Sequence, residues 1–363
     1  MAQEPPDPQG PDGRALPASA GWNRRRRLAA AAAAALLVLA VVVTAVVLSL
    51  PKPEAAAPPP AAPPTTAPPT PTPTPTSAPT PTPPPDPAPT DLNILLIGSD
   101  SRVNARGEAL AGNVSDQRGD VLVLLHLPAD RQNIYGVSIM RDLWVDIPGY
   151  GGAKVNAGLE LGGIPLQTKT VESLLSTHVD HTVMVDFEGF AALIDVLGGI
   201  DVEVTRPFTG TIESQHFYAP GPNRLNGALA LDFVRERKAF ADGDYQRVRN
   251  QQTFLKAVLA KASGSGVLAD RTTVHTFVTG VLPHVSVSPG LTLETLERLA
   301  FSLRSVPAGN GVFFTLPTAG VGTSTDGQSI VLQNPAATAE VAAALGSGGL
   351  GNYVASHNLQ NGN

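Results

Sequence analysis

Nineteen of the forty residues from Pro51 to Thr90 are proline, and no other stretch constrains this chain so strongly. Proline fixes φ and has no N–H to donate, so the segment can join neither a helix nor a strand ladder and favours polyproline II. Stretched at about 3.1 Å per residue, it would reach on the order of 120 Å. The repeated Thr-Pro pairs suit a glycosylated stalk equally well. Either way residues 51–90 are a spacer, and anything that folds lies to one side of it.

On the N-terminal side, residues 1–27 read as a polar, disordered tail ending in Arg24, Arg25, Arg26 and Arg27. Leu28 to Leu50 then runs for 23 residues without a charge. At 1.5 Å per residue, a helix of that length crosses roughly 30 Å of hydrocarbon. A cleaved signal peptide has a shorter apolar core and a small-residue cleavage site, so a retained anchor is expected. The arginines on its N-terminal flank place that end in the cytoplasm and the rest of the chain outside the plasma membrane.

On the other side, 273 residues remain from Asp91, enough for one large domain over 91–346 and a mobile Gly/Asn-rich tail over 347–363. This outer part carries 19 Lys and Arg against 26 Asp and Glu. A general nucleic-acid surface needs a broad basic face, so the balance argues against that class, and any anion site must be a local cluster. There is no cysteine, which removes disulfides and thiol chemistry.

Asn93–Ile97, Val121–Leu127 and Asn133–Met140 are near-continuous apolar runs, the pattern of central strands covered on both faces. His181–Phe187, Ile200–Val204, Val312–Leu316 and Ser329–Leu332 read as further strands. Helical patterns fall at 166–177, 188–197, 226–233, 244–261, 291–303 and 335–345, with Gly198-Gly199 as a stop. Gly151-Gly152 and Gly162-Gly163 read as loop punctuation. The expected class is α/β or mixed α+β, a central sheet with helices on both faces.

Charged residues gather where these strands end. Asp100 follows the first strand, Arg118 and Asp120 precede the second, and Arg141-Asp142 follows the third. If the first two strands pair antiparallel, Asp100 and Asp120 meet at one edge. Two carboxylates with phosphate oxygens and water make an ordinary Mg²⁺ shell. Taken singly, such residues are more often turn formers or surface ion pairs. Downstream, Arg247 and Gln251 share a helix face, and Arg235 and Arg237 stand among Phe233, Val234 and Phe254, where burial without an anion would be costly. Arginines that bind phosphate bidentately beside a metal-binding carboxylate pair point to pyrophosphate chemistry. His126, inside a strand, reads as a core residue. Ser99 lacks the Gly-x-Ser-x-Gly setting of a nucleophile.

Asn93-Ile-Leu-Leu-Ile-Gly-Ser-Asp-Ser-Arg102, Asp186-Phe-Glu-Gly-Phe190, Leu225-Asn-Gly227, Val234-Arg-Glu-Arg237 and Arg247-x-x-x-Gln251-Gln252, in this order behind an N-terminal anchor, resemble the LytR–CpsA–Psr family of cell-envelope glycopolymer transferases. The likeness is clearest over Asp91–Ala262 and weaker to about residue 345. The chain departs from the family pattern at Arg118-Gly-Asp-Val121, at Met140-Arg-Asp142 and at Asn250, and a long loop is expected from Ala105 to Gln117.

The resemblance implies a transferase that moves a glycan polymer from a polyprenyl-pyrophosphate carrier onto peptidoglycan through a phosphodiester, with the lipid in an apolar pocket between sheet and helices. By position, Asp100 and Asp120 would ligate Mg²⁺, or Mn²⁺ in its place. Arg102, Arg118, Arg141, Arg235, Arg237, Arg247 and Gln251 would hold the pyrophosphate, and Asp142 or Asp100 would take the acceptor's proton. A polyprenyl-pyrophosphate pyrophosphatase and a non-catalytic lipid-phosphate-binding regulator are the competing readings. The Ala- and Pro-rich composition suits a high-GC actinobacterial source and, with it, an arabinogalactan-like polymer.

Overall fold

The computed structural model describes residues 90–100, 106–264, 270–307 and 309–362. The expected cytoplasmic tail, membrane span and Pro-rich linker, together with Arg102, lie outside the described residues. Among those described, no helix is long and apolar enough to cross a membrane.

The first half of the domain runs β1 (Leu92–Ser99), α1 (Arg106–Ala111), β2 (Gly119–Leu127), β3 (Ile134–Ile139), β4 (Trp144–Ile147), β5 (Gly151–Lys154), α2 (Ala157–Leu175), β6 (His181–Val185) and α3 (Phe187–Val196). Next come β7 (Ile200–Val204), β8 (Phe208–Thr209), β9 (Phe217–Tyr218), β10 (Gly221–Leu225), α4 (Gly227–Arg235) and α5 (Asp244–Gly264). The rest is α6 (Arg271–Val281), β11 (Ser286–Val287), α7 (Leu293–Ser302), β12 (Gly311–Thr315), β13 (Thr318–Thr323), β14 (Ser329–Gln333), α8 (Pro335–Gly346) and α9 (Leu350–Ser356).

Six strands form the main sheet in the order β11-β6-β1-β2-β3-β12. The three apolar runs are its centre, and Ile94, Leu95, Leu96 and Ile97 have no exposed surface at all. β1 pairs antiparallel with β2 and parallel with β6, while β3 is antiparallel to β2 and parallel to β12. Register decides the faces. Thr182, Leu95, Leu124, Val137 and Phe314 lie in one row across the sheet. On that face Thr168 of α2 bonds Thr182 at 2.8 Å, and Tyr353 of α9 stacks near Phe314. On the opposite face Gln252 of α5 donates to Ser138 and Thr315 at 3.2 and 3.1 Å. Helices therefore cover both faces, as the apolar runs require.

Local signals set the helix ends. Asp186, Asn226 and Asn334 each accept the backbone N–H three residues on, capping α3, α4 and α8. Gly198 and Gly199, with φ of 66° and 85°, stop the turn after α3.

The structure corrects several expectations. Gly162-Gly163 breaks the chain as expected, but between two helical segments of α2, which starts at Ala157; only glycine fits at 163, where φ is 61° and a Cβ would lie 2.4 Å from the Ala109 carbonyl oxygen of α1. Helix α1 occupies part of the expected Ala105–Gln117 loop, and Gly151-Gly152 belongs to β5. The tail over 347–363 is not a loose end, since Leu350, Tyr353 and Val354 fall at helical spacing and are buried. Phe190 of α3 and Phe254 of α5 meet at 5.7 Å, and Tyr218 of β9 and Phe233 of α4 at 5.4 Å.

The Leu225-Asn-Gly227 motif has a steric reason. Gly227 begins α4 directly against α3, and an added Cβ would sit 2.2 Å from the Ala191 carbonyl oxygen. Gly227→Ala is expected to lower the unfolding free energy by about 2 kcal/mol, the usual cost of overpacking a close helix contact, measured by denaturant titration.

Candidate functional site

β1 and β2 place the acidic pair. Gly98 lies opposite Val121 and Ser99 opposite Gly119, with a bulge between the two pairings. The bulge brings the Arg118 N–H to Asp100 Oδ1 at 3.3 Å and sets Asp100 beside Asp120, as antiparallel pairing anticipates. Burial first, and the Asp120 charge second, push the Asp100 carboxyl up to about 6. Asp120 is buried, and its Oδ1 accepts from Arg141 Nη1 at 3.1 Å and from Asn156 Nδ2 at 3.5 Å.

Arg141, at the end of β3, is 8 % exposed. Beyond Asp120 it meets Asp244 Oδ2 at 3.3 Å and Asp142 Oδ2 at 3.5 Å. Burial works against its charge, but Asp120, Asp244 and Asp142 more than offset that and hold it above the ordinary arginine range. Asp244 opens α5 and collects two further guanidiniums, Arg237 at 3.4 Å and Arg247 at 3.1 Å. Burial alone would raise the Asp244 carboxyl, yet Arg247, Arg141 and Arg237 bring it below its usual value. Arg247 is 3 % exposed, pushed down to about 10 by burial and then by Arg141, and its Nε has no partner among the described residues.

These groups open on a cavity of about 440 Å³. Asp100, Arg118, Asp120, Arg141, Asp142 and Arg237 all line it. Arg235, Arg247 and Gln251 are not among the lining residues, and Arg118 lines the cavity from its exposed rim. Arg235 is buried 4.5 Å over the Phe187 ring with Glu213 at 3.8 Å, behind the cavity wall. Gln251 donates to the Val234 carbonyl at 3.2 Å and so ties α5 to α4. Arg118 is 57 % exposed and pairs with Glu160 at 2.9 Å.

Sequence reasoning missed Lys154, Asn156 and Tyr245 as lining residues. Lys154 ends the short β4–β5 hairpin and meets Asp142 at 3.0 Å. It also left Asp244 without a role, although its spacing of three from Arg247 was visible. Glu236 was missed too: fully buried, it accepts from Thr211 and from the N–H groups of Arg237, Lys238 and Ala239. It thereby turns the chain after α4 so that Arg237 faces the cavity.

The donor set fits a hard divalent cation. The Asp120 charge adds to the cost of ionising Asp100, and no described donor reaches Asp120 Oδ2. No cluster of three or more acidic, His or Cys ligands occurs among the described residues, so water and substrate oxygens would complete the shell.

A mixed sheet whose central strands end in carboxylates and buried arginines defines an anion-handling α/β domain. The chain belongs to the LytR_cpsA_psr family, whose sequence profile matches residues 78–340. It is 32 % identical over 217 residues to "Probable cell wall biosynthesis protein LcpB" of Corynebacterium glutamicum, covering 58 % of this chain and 52 % of that one. It is also 32 % identical over 179 residues to "Polyisoprenyl-teichoic acid--peptidoglycan teichoic acid transferase TagU" of Bacillus mycoides, covering 49 % and 55 %. The chain thus spans about half the length of the curated relatives it matches. A solved structure described as "TagT bound to LI-WTA" superposes with a TM-score of 0.58 at 25 % identity, covering 72 % of this chain and 92 % of that one.

Asp100 binds its proton more tightly folded than unfolded, so the stabilisation from this group is full below about pH 4 and is lost as pH rises through about 6. With a chelator present, Asp100→Asn is expected to match the wild-type unfolding temperature near pH 4 and exceed it near pH 8. The gain is on the order of 1 kcal/mol once solvent screening of this half-buried group is allowed for.

Proposed function

We propose that this chain is a membrane-anchored, extracytoplasmic transferase. It moves a glycan polymer from a polyprenyl-pyrophosphate carrier onto peptidoglycan and leaves the two joined by a phosphodiester. The single observation that carries the reading is that Arg141 and Arg237 line one cavity with Asp100 and Asp120, with the buried Arg247 held to the same Asp244 that both arginines meet. The family membership and the printed activity of the TagU relative support it.

In the reaction, an acceptor sugar hydroxyl attacks the phosphorus that bears the glycan. A new P–O bond forms to the acceptor oxygen, the bond to the bridging oxygen breaks, and polyprenyl monophosphate leaves with the electron pair. Asp100 and Asp120 would hold Mg²⁺, whose charge neutralises the pyrophosphate oxygens when bound. Arg141 and Arg237 line the cavity and bind the non-bridging oxygens, where charge develops. Arg247 adds a buried positive charge behind them. Asp142, which lines the cavity and pairs with Arg141 and Lys154, is the carboxylate assigned to take the hydroxyl proton. A polyprenyl chain entering between the sheet and α3–α5 would have to part the Phe190 and Phe254 rings. The charge-free segment 28–50 and the Pro-rich segment 51–90 would keep the domain near its lipid-borne donor.

The test uses the full chain in vesicles with a polyprenyl-pyrophosphate glycan, peptidoglycan fragments and Mg²⁺. Transfer of the glycan is expected, stopping when the cation is chelated. Release of polyprenyl phosphate without any glycan on the acceptor would make the chain a pyrophosphatase and overturn the reading. Arg237→Ala is expected to lower kcat/KM about 100-fold, the usual loss for one preorganised charge donor.

A further inference from the structure

We propose that Asp244 is a built-in substitute for substrate phosphate: its carboxylate keeps Arg141, Arg237 and Arg247 assembled in the free protein and releases them when a pyrophosphate binds. The inference rests on the reading that this cavity takes a pyrophosphate, and assigns Asp244 the part of a positioning residue within it.

Three arginines from three places in the fold meet on this one carboxylate. Arg141 comes from the end of β3, Arg237 from the turn after α4, and Arg247 from the first turn of α5 itself. Without a shared anion these guanidiniums would repel one another, and Arg247, almost fully buried, would be a stranded charge. Asp242, two residues earlier, does not fill that role; its partners are Arg206 and Arg249.

The substitute is also an incomplete one. Asp244 Oδ2 already serves both Arg141 and Arg247, Oδ1 serves Arg237, and Arg247 Nε is left unsatisfied. A phosphate group brings more acceptor oxygens and more charge than a carboxylate, so it can outbid Asp244 for the same donors. Asp244 lines the cavity, within reach of such a ligand. Binding is therefore an exchange of anions, which limits affinity and lets the phosphate product leave.

Asp244→Asn tests this on the full-length protein, with inorganic pyrophosphate as the probe and thermal unfolding as the readout. The variant is expected to melt below wild type without pyrophosphate, and its pyrophosphate-induced shift is expected to be at least about twice as large. Pyrophosphate binding should tighten about tenfold, in line with one regained charge-assisted bond. Donor KM and kcat should fall together as product release slows, while Asp244→Glu behaves as wild type. Equal pyrophosphate shifts in wild type and Asp244→Asn would overturn the role of Asp244 but leave the anion site standing. No shift in either would sink both. If Asp244→Asn does not fold, the double variant D244N/R247M, which removes the stranded guanidinium as well, is expected to fold. Failure of the double variant to fold would overturn the proposal, because the loss would then arise from packing and not from charge.

Discussion

Arg141 holds an acid on either side, Asp120 from the sheet and Asp244 from the start of α5, and the site depends on that bridge. Remove its charge and the buried Asp120 loses its cation, while Asp244 keeps only Arg237 and Arg247. The bridge also fixes geometry. It binds the edge where β1 and β3 end and β2 begins to the helix that carries Arg247, so the cationic and acidic halves of the cavity cannot drift apart independently.

The wider electrostatics follow from the same economy. The outer part of the chain is acidic on balance, yet it concentrates guanidiniums at one place. Each cavity-facing arginine is matched by a carboxylate in the free protein: Arg141 and Arg237 by Asp244, Arg118 by Glu160. Burial of Arg141 and Arg247 keeps water from screening them. The Asp100–Asp120 pair places like charges together, and there the raised Asp100 carboxyl registers the cost.

Much of this was legible from residues alone. The apolar runs at 93–97, 121–127 and 133–140 could only be central strands, and the pairing of Asp100 with Asp120 followed once β1 and β2 were antiparallel. The hairpins were not legible. β4, β5 and β13 are short, and β13 is built of Thr, Ala and Gly with one valine, so no two-residue period stands out. Helix α6 hid for a related reason, since its β-branched Thr and Val residues are weak helix formers held by packing of Val274, Phe277 and Val278. Arg235 shares a motif with the lining residue Arg237, and a spacing of two in the sequence does not separate the side chain that faces the cavity from the one packed on Phe187.

One strand also sets where the domain is held relative to where it works. β1 begins at Leu92, next to Asp91, whose carboxylate accepts the Ala129 N–H at 2.7 Å, and it ends at Ser99, next to Asp100. Eight residues of strand, at about 3.3 Å each, separate the two points by roughly 26 Å. The first described residues and the cavity thus lie at opposite ends of one buried strand, so a rigid element of the core links the two.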